Sequence, residues 1–159
     1  MEALTGTIVG GVLVILGGII AKSFAEWRTR KSLRAAFRAE IAVIVRMIEL
    51  RGHQRLFEET LEHWQQGGVG IPRVIGSHTQ LPDPVYSKNS DKIGLLGRDV
   101  AGEVVRFYAL MDGIREDIRG LAMGELNAIS RETKIRLLEE DLKLLANAKE
   151  ISVRLERVL

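Results

Sequence analysis

Between Glu2 and Lys22 the chain carries nineteen consecutive residues without a charge, Ala3 to Ala21. Ten are Leu, Ile or Val, five are glycine, and Thr5 and Thr7 supply the only polar side chains. As a helix this run is about 28 Å long, close to the roughly 30 Å of a bilayer's hydrocarbon core. The ten large aliphatics favour insertion by roughly 3 to 6 kcal/mol before the glycines weaken it. The segment is therefore expected to be a transmembrane helix over residues 1–22. A cleaved signal is the alternative, with Ser23-Phe24-Ala25 as its small-x-small site, but the opening Met-Glu-Ala-Leu-Thr has no basic n-region.

The charge pattern agrees with a membrane reading. Lys22, Arg28, Arg30, Lys31, Arg34 and Arg38 face one acid, Glu26, a net +5 in seventeen residues. From residue 39 onward 17 basic and 19 acidic residues nearly cancel. A nucleic-acid binder spreads its positive charge over the folded body. A collar beside an apolar run instead meets anionic headgroups, with Lys22, Arg28, Arg30 and Lys31 as the expected lipid contacts. By the positive-inside rule the chain is expected to be a single-pass inner-membrane protein, N-terminus out, with its remainder cytoplasmic. Gly6 and Gly10 form a Gly-x-x-x-Gly pair and Gly17 lies seven further along, so this face is expected to pack against another membrane helix.

Beyond the collar the periodicity is helical and the expected class is all-α. Leu33, Phe37, Ile41, Ile44 and Ile48 recur at steps of three and four, and Leu56, Leu61 and Trp64 extend the run. No proline precedes Pro72, so one helix is expected over residues 23–66, ending at Gly67-Gly68. Val100, Val104, Phe107, Met111, Ile114, Ile118 and Leu121 form an a/d seam of a helix over about 99–122. A last helix starts near Ser130, with the stripe Ile135, Leu138, Leu142, Leu145, Ala148, Ile151, Leu155, Val158. These two helices make residues 98–159 the rest of a bundle, its seams packing within one chain or between chains. Residues 67–97 form a long connection holding all three prolines. Within it Asp83-Pro84 reads as a cap and first turn, Asn89, Ser90 or Asp91 as a second cap, and residues 69–75 as the one short strand candidate.

Catalytic chemistry has no foothold. With no cysteine, thiol nucleophiles and cysteine-ligated metals are excluded. His53, His63 and His78 lack ligand spacing, and Glu59–His63 reads as a surface ion pair. No P-loop, Gly-x-Ser-x-Gly or His-Glu-x-x-His occurs, so neither an enzyme nor a cofactor is expected. Around the connection, Arg73, Tyr86, Lys88, Asn89 and Lys92, with Arg46 from the preceding helix, offer cations, an amide and an aromatic face suited to a phosphate-bearing or nucleotide ligand. A solvated loop is the plainer alternative.

The phrase Tyr86-Ser-Lys-Asn89-Ser-Asp-Lys92-Ile-Gly-Leu-Leu96, with Val104-Val-Arg-Phe-Tyr108, resembles one found in small bacterial single-pass membrane proteins. The plan of one membrane helix and a helical cytoplasmic domain is similar to that of membrane effectors of nucleotide-signalling anti-phage systems, such as Hailong-type operons. The resemblance covers roughly residues 84–112 and the overall plan, and the plan implies a homo-oligomer, for instance a tetramer, forming a channel controlled by a nucleotide or oligonucleotide. A tethered adaptor recruiting a cytosolic protein partner is the other expectation, because nothing polar but Thr5 and Thr7 lies in the membrane helix.

Overall fold

A computed structural model describes residues 2–70 and 83–159, apart from the side chains of residues 2–16 and 126–127. The described residues are all-α, without a strand. Five α-helices follow one another: α1 (Glu2–Arg51), α2 (His53–Gln65), α3 (Pro84–Asn89), α4 (Arg98–Met123) and α5 (Arg131–Val158). A 3-10 segment, Ser90–Leu96, joins α3 to α4, and a second, Glu125–Ala128, precedes α5.

The body is a three-rod bundle. The second half of α1 and then α2 make the first rod; α4 runs parallel to it and α5 returns antiparallel. Arg131, at the start of α5, donates to the carbonyls of Trp64 and Gln65 at the end of α2. Midway, Lys149 donates to Gln54 at 2.7 Å. At the other end Arg154 binds Glu103 on α4 at 2.7 Å. The core is filled by residues the periodicity selects: Leu33, Phe37, Ile41, Ile44 and Ile48 from α1, and Val104, Phe107, Met111, Ile114, Ile118 and Leu121 from α4. Leu138, Leu145, Ala148, Ile151 and Leu155 of α5 complete it. The heptad seams are thus buried within one chain.

Three expectations need correction. The helix expected over 23–66 is broken at Gly52, whose φ of 64° is left-handed and which follows Arg51 as the turn between α1 and α2. Glycine enters this region without the steric cost borne by other residues, so a break needs no proline. In α5 the core position is Asp141, 1% exposed, while Leu142 is half-buried and Val158 is exposed. The Glu59–His63 ion pair is replaced by Arg55–Glu59 at 2.6 Å, and the His63 ring packs beside Gly68. Ser130 Oγ caps α5 by accepting from Thr133 N–H at 3.2 Å, and Pro84 opens α3 as expected, but neither Asp83 nor Asn89 makes the side-chain cap hydrogen bond expected there. The strand candidate over residues 69–75 lies largely outside the described residues.

No helix among the described residues is long and apolar enough to cross a membrane. Residues 3–16 of the charge-free segment have their side chains outside that description, although the backbone of α1 runs through them as helix. From Gly17 to Ser32 almost every residue is exposed, and α1 joins the core only at Leu33.

Candidate functional site

The polar centre of the bundle is Glu40, which the sequence reading passed over. It sits three residues after Phe37 on the core face of α1 and is 7% exposed. Its carboxylate accepts the backbone N–H of Val85 at 2.7 Å and of Tyr86 at 3.1 Å. The Tyr108 hydroxyl of α4 donates to the same carboxylate. Glu40 therefore does the capping that Asp83 was expected to do: it satisfies the first N–H groups of α3 from another helix. Asp83 turns instead to Arg115, at 3.6 Å. Burial, then the hydrogen bond to Glu40, pushes the Tyr108 phenol well above its ordinary pKa, so it stays a donor. The Tyr86 ring stacks on Tyr108 with centroids 4.0 Å apart, and Phe37 and Phe107 meet Tyr108 edge-on. This cluster clamps α3 and the following 3-10 segment against α1 and α4.

The clamp decides what the segment can present. Asn89 and Lys92 face a pocket of about 360 Å³ shared with Arg28, Thr29, Ser32 and Leu33 of α1. Asn89 is oriented by donating to the Val85 carbonyl at 2.8 Å. On the neighbouring side of α1 an open cleft of about 760 Å³ is lined by Trp27, Arg30, Lys31, Arg34 and Arg38, with Leu159 at its far wall. There Lys31 lies over the Trp27 ring at 5.5 Å, and Phe24 stacks on Trp27 at 5.7 Å. Cationic and aromatic side chains thus surround α1 where it leaves the bundle.

The expected ligand residues do not form one site. Asn89 and Lys92 come together with Arg28, which was expected to serve lipid alone. Lys88 is exposed on α3. Arg46 is elsewhere, paired with Glu49 at 3.4 Å on the rim of a groove between α1 and α5. One face of the Tyr86 ring is taken by Tyr108. Arg73, Gly6 and Gly10 lie outside the described side chains, while Gly17 is exposed with nothing within 4 Å of where a Cβ would stand. Lys22, Arg28, Arg30 and Lys31 are all exposed.

A second buried acid was also missed. Asp141 of α5 meets Asp117 of α4 across the bundle; burial and then the Asp117 charge push Asp141 up to about 8, and Asp117 is raised by burial. One proton shared between the two carboxyls fits this arrangement. The signal was present in the 3–4 steps Leu138–Asp141–Leu145, which hold the core phase better than Leu142 does. Among the described residues no group of three or more metal-binding side chains occurs. Compared with protein-family models, curated proteins and solved structures, the chain matches none.

Proposed function

We propose that the protein is a single-pass inner-membrane effector, N-terminus out, that assembles as a homo-oligomer through α1 and carries a ligand-responsive bundle in the cytoplasm. The observation that carries this reading is the continuity of α1. One helix of 50 residues, about 75 Å long, joins the charge-free segment, the basic collar and the bundle core. Ala35 lies eighteen residues, five full turns, beyond Gly17 and so on the same side of the helix. Ala39 and Ala42 flank that line, and all three are exposed. Phe37 and Ile44 enter the core on the opposite side. Gly17 and the three alanines are thus exposed, the alanines along the cleft whose other wall includes Glu156 and Leu159.

Copies in one membrane share an orientation, so their α1 helices can run side by side from Gly6 to Ala42, where small residues permit close approach. The seams of α4 and α5 are filled within one chain, so this reading assigns assembly to α1. Because α1 is common to core and membrane, a ligand that favours one bundle arrangement shifts the membrane helices with it. Ion conduction and an anti-phage role rest on the likeness of the overall plan, one membrane helix and a helical cytoplasmic domain, to that of the anti-phage effectors. Ion flux from liposomes holding the full-length chain tests the channel reading, with di- and oligonucleotides added as trial ligands. Protein-dependent flux is expected; a tight bilayer at every protein and nucleotide level overturns it.

A membrane-tethered adaptor is the second reading. It is favoured by a groove of about 280 Å³ between α1 and α5, with Ile41, Val45, Val153 and Leu155 among its lining and charged residues at its edge. Under it, exchanging residues 1–21 for an unrelated membrane helix leaves function intact.

A further inference from the structure

Several arginines of this bundle pair with nearby acids. Arg30 meets Glu26, Arg46 meets Glu49, Arg55 meets Glu59, Arg119 meets Glu116, and Arg154 meets Glu103 and Glu150. Arg28 and Lys92 are outside these pairs, as are other cations such as Arg38 and Arg106, but these two share a pocket. They come from segments 64 positions apart, line the same pocket, and make no ion pair or hydrogen bond among the described residues. Two like charges brought to one pocket repel, and an anion between them turns that repulsion into attraction.

The rest of the lining suits an anion with hydroxyl or ester oxygens. Ser32 adds a hydroxyl and Asn89 an amide; one amide N–H is used on the Val85 carbonyl, leaving the other. Leu33 and Ala36 give the pocket an apolar wall, and its 360 Å³ exceeds what a bare ion needs. Its height is also informative. Arg28 stands six residues beyond Lys22, about 9 Å along the helix. Helical side chains lean toward the N-terminus, so Arg28 leans toward the membrane end of α1.

We propose that this pocket binds a phosphate ester, held between the Arg28 guanidinium and the Lys92 ammonium, with Ser32 and Asn89 as supporting donors. The Glu40–Tyr108 clamp holds Lys92 opposite Arg28, so occupancy ties the 3-10 segment to α1. The ester comes either from a lipid headgroup or from a soluble metabolite. Only the lipid source rests on α1 entering a bilayer; the pocket itself does not.

The test uses the full-length chain in uncharged micelles, titrated with glycerol 3-phosphate while amide resonances are followed by NMR. Saturable shifts at Ser32, Asn89 and Lys92 are expected. Arg28→Gln with Lys92→Gln should weaken binding by at least about tenfold, the worth of one charge-assisted contact. Arg30→Gln with Lys31→Gln removes the same charge from the neighbouring cleft, outside this pocket's lining, and should change it less than about twofold. Lys92→Gln alone, at an exposed position, serves if the double variant folds poorly. Absence of saturable shifts, or equal loss in the two double variants, overturns the site. In phosphatidylglycerol vesicles, shifts at Lys92 without added ester identify a lipid source; shifts only on adding the ester identify a soluble one.

Discussion

Removing the Glu40 carboxylate should cost far more than a charge on a helix normally does. Three donors converge on it: the Val85 and Tyr86 N–H groups and the Tyr108 hydroxyl. Hydrogen bonds to a charged acceptor contribute about 1.5–3 kcal/mol each, and donors left buried without partners incur a desolvation penalty. The N-terminus of α3 is partly exposed, since Pro84 is at the surface, so water recovers part of the two backbone bonds. We therefore expect Glu40→Ala to destabilise the bundle by about 3 kcal/mol, and Tyr108→Phe, which loses one donor, by about 1.5 kcal/mol. Because both remove the same contact, the double variant should fall about 1 kcal/mol short of their sum. Glu40→Gln retains a carbonyl acceptor and should lie between Glu40→Ala and the native chain. Thermal unfolding of the full chain in micelles, read by circular dichroism, gives these values; 3 kcal/mol corresponds to a melting-point loss of about 10 °C for a bundle of this size. Amide exchange adds the local signature, with residues 85–96 exchanging faster in Glu40→Ala while the middle of α5 stays protected. A cost below about 0.5 kcal/mol for Glu40→Ala, or strictly additive single effects, would refute the clamp.

Other outcomes follow from the same geometry. Asp141 is raised in the folded chain, so the fold binds a proton that the unfolded chain releases, and stability should fall as pH rises from about 4 through about 8. His53, lowered by burial and then by Arg51, acts in the opposite direction below its ordinary 6.5, so the comparison is made against Asp141→Asn. That variant should lose the Asp141-linked decline and gain at least about 1 kcal/mol at pH 8 in chemical denaturation; an unchanged pH profile would show the shared proton to be absent. Gly52→Ala should cost about 1–2 kcal/mol from the left-handed backbone alone, since nothing lies within 4 Å of the added Cβ. A melting point within a degree of the native chain would contradict that.

The apolar framework was legible because each core helix repeats its large residues at steps of three and four. The α1 stripe and the α4 seam are buried almost as read, with Val100 only half-buried. The polar interior was not legible, since Glu40 and Asp141 occupy core phase but a charged residue there reads as an interruption. Their partners, Tyr108 and Asp117, lie on other helices, beyond the reach of periodicity. Tyr86 misled for the same reason: an aromatic beside cations suggests a ligand platform, whereas its ring belongs to a stack closed by a residue twenty-two positions on. The Gly52 break was hidden because the apolar stripe continues on both sides of it. That Arg28 and Lys92 line one pocket has no local signal in the sequence, because the two stand on separate segments.

The central claim is that α1 assembles along its glycine and alanine face. The chain has no cysteine, so single introduced cysteines report without background. Ala35→Cys and Ala42→Cys lie on the claimed seam, and Glu26→Cys lies two and a half turns from Ala35, on the opposite side of the helix. Mild oxidation in native membranes should give disulfide-linked dimers from the first two and few from the third. Monomer at positions 35 and 42, or equal dimer yields at all three, would contradict the account.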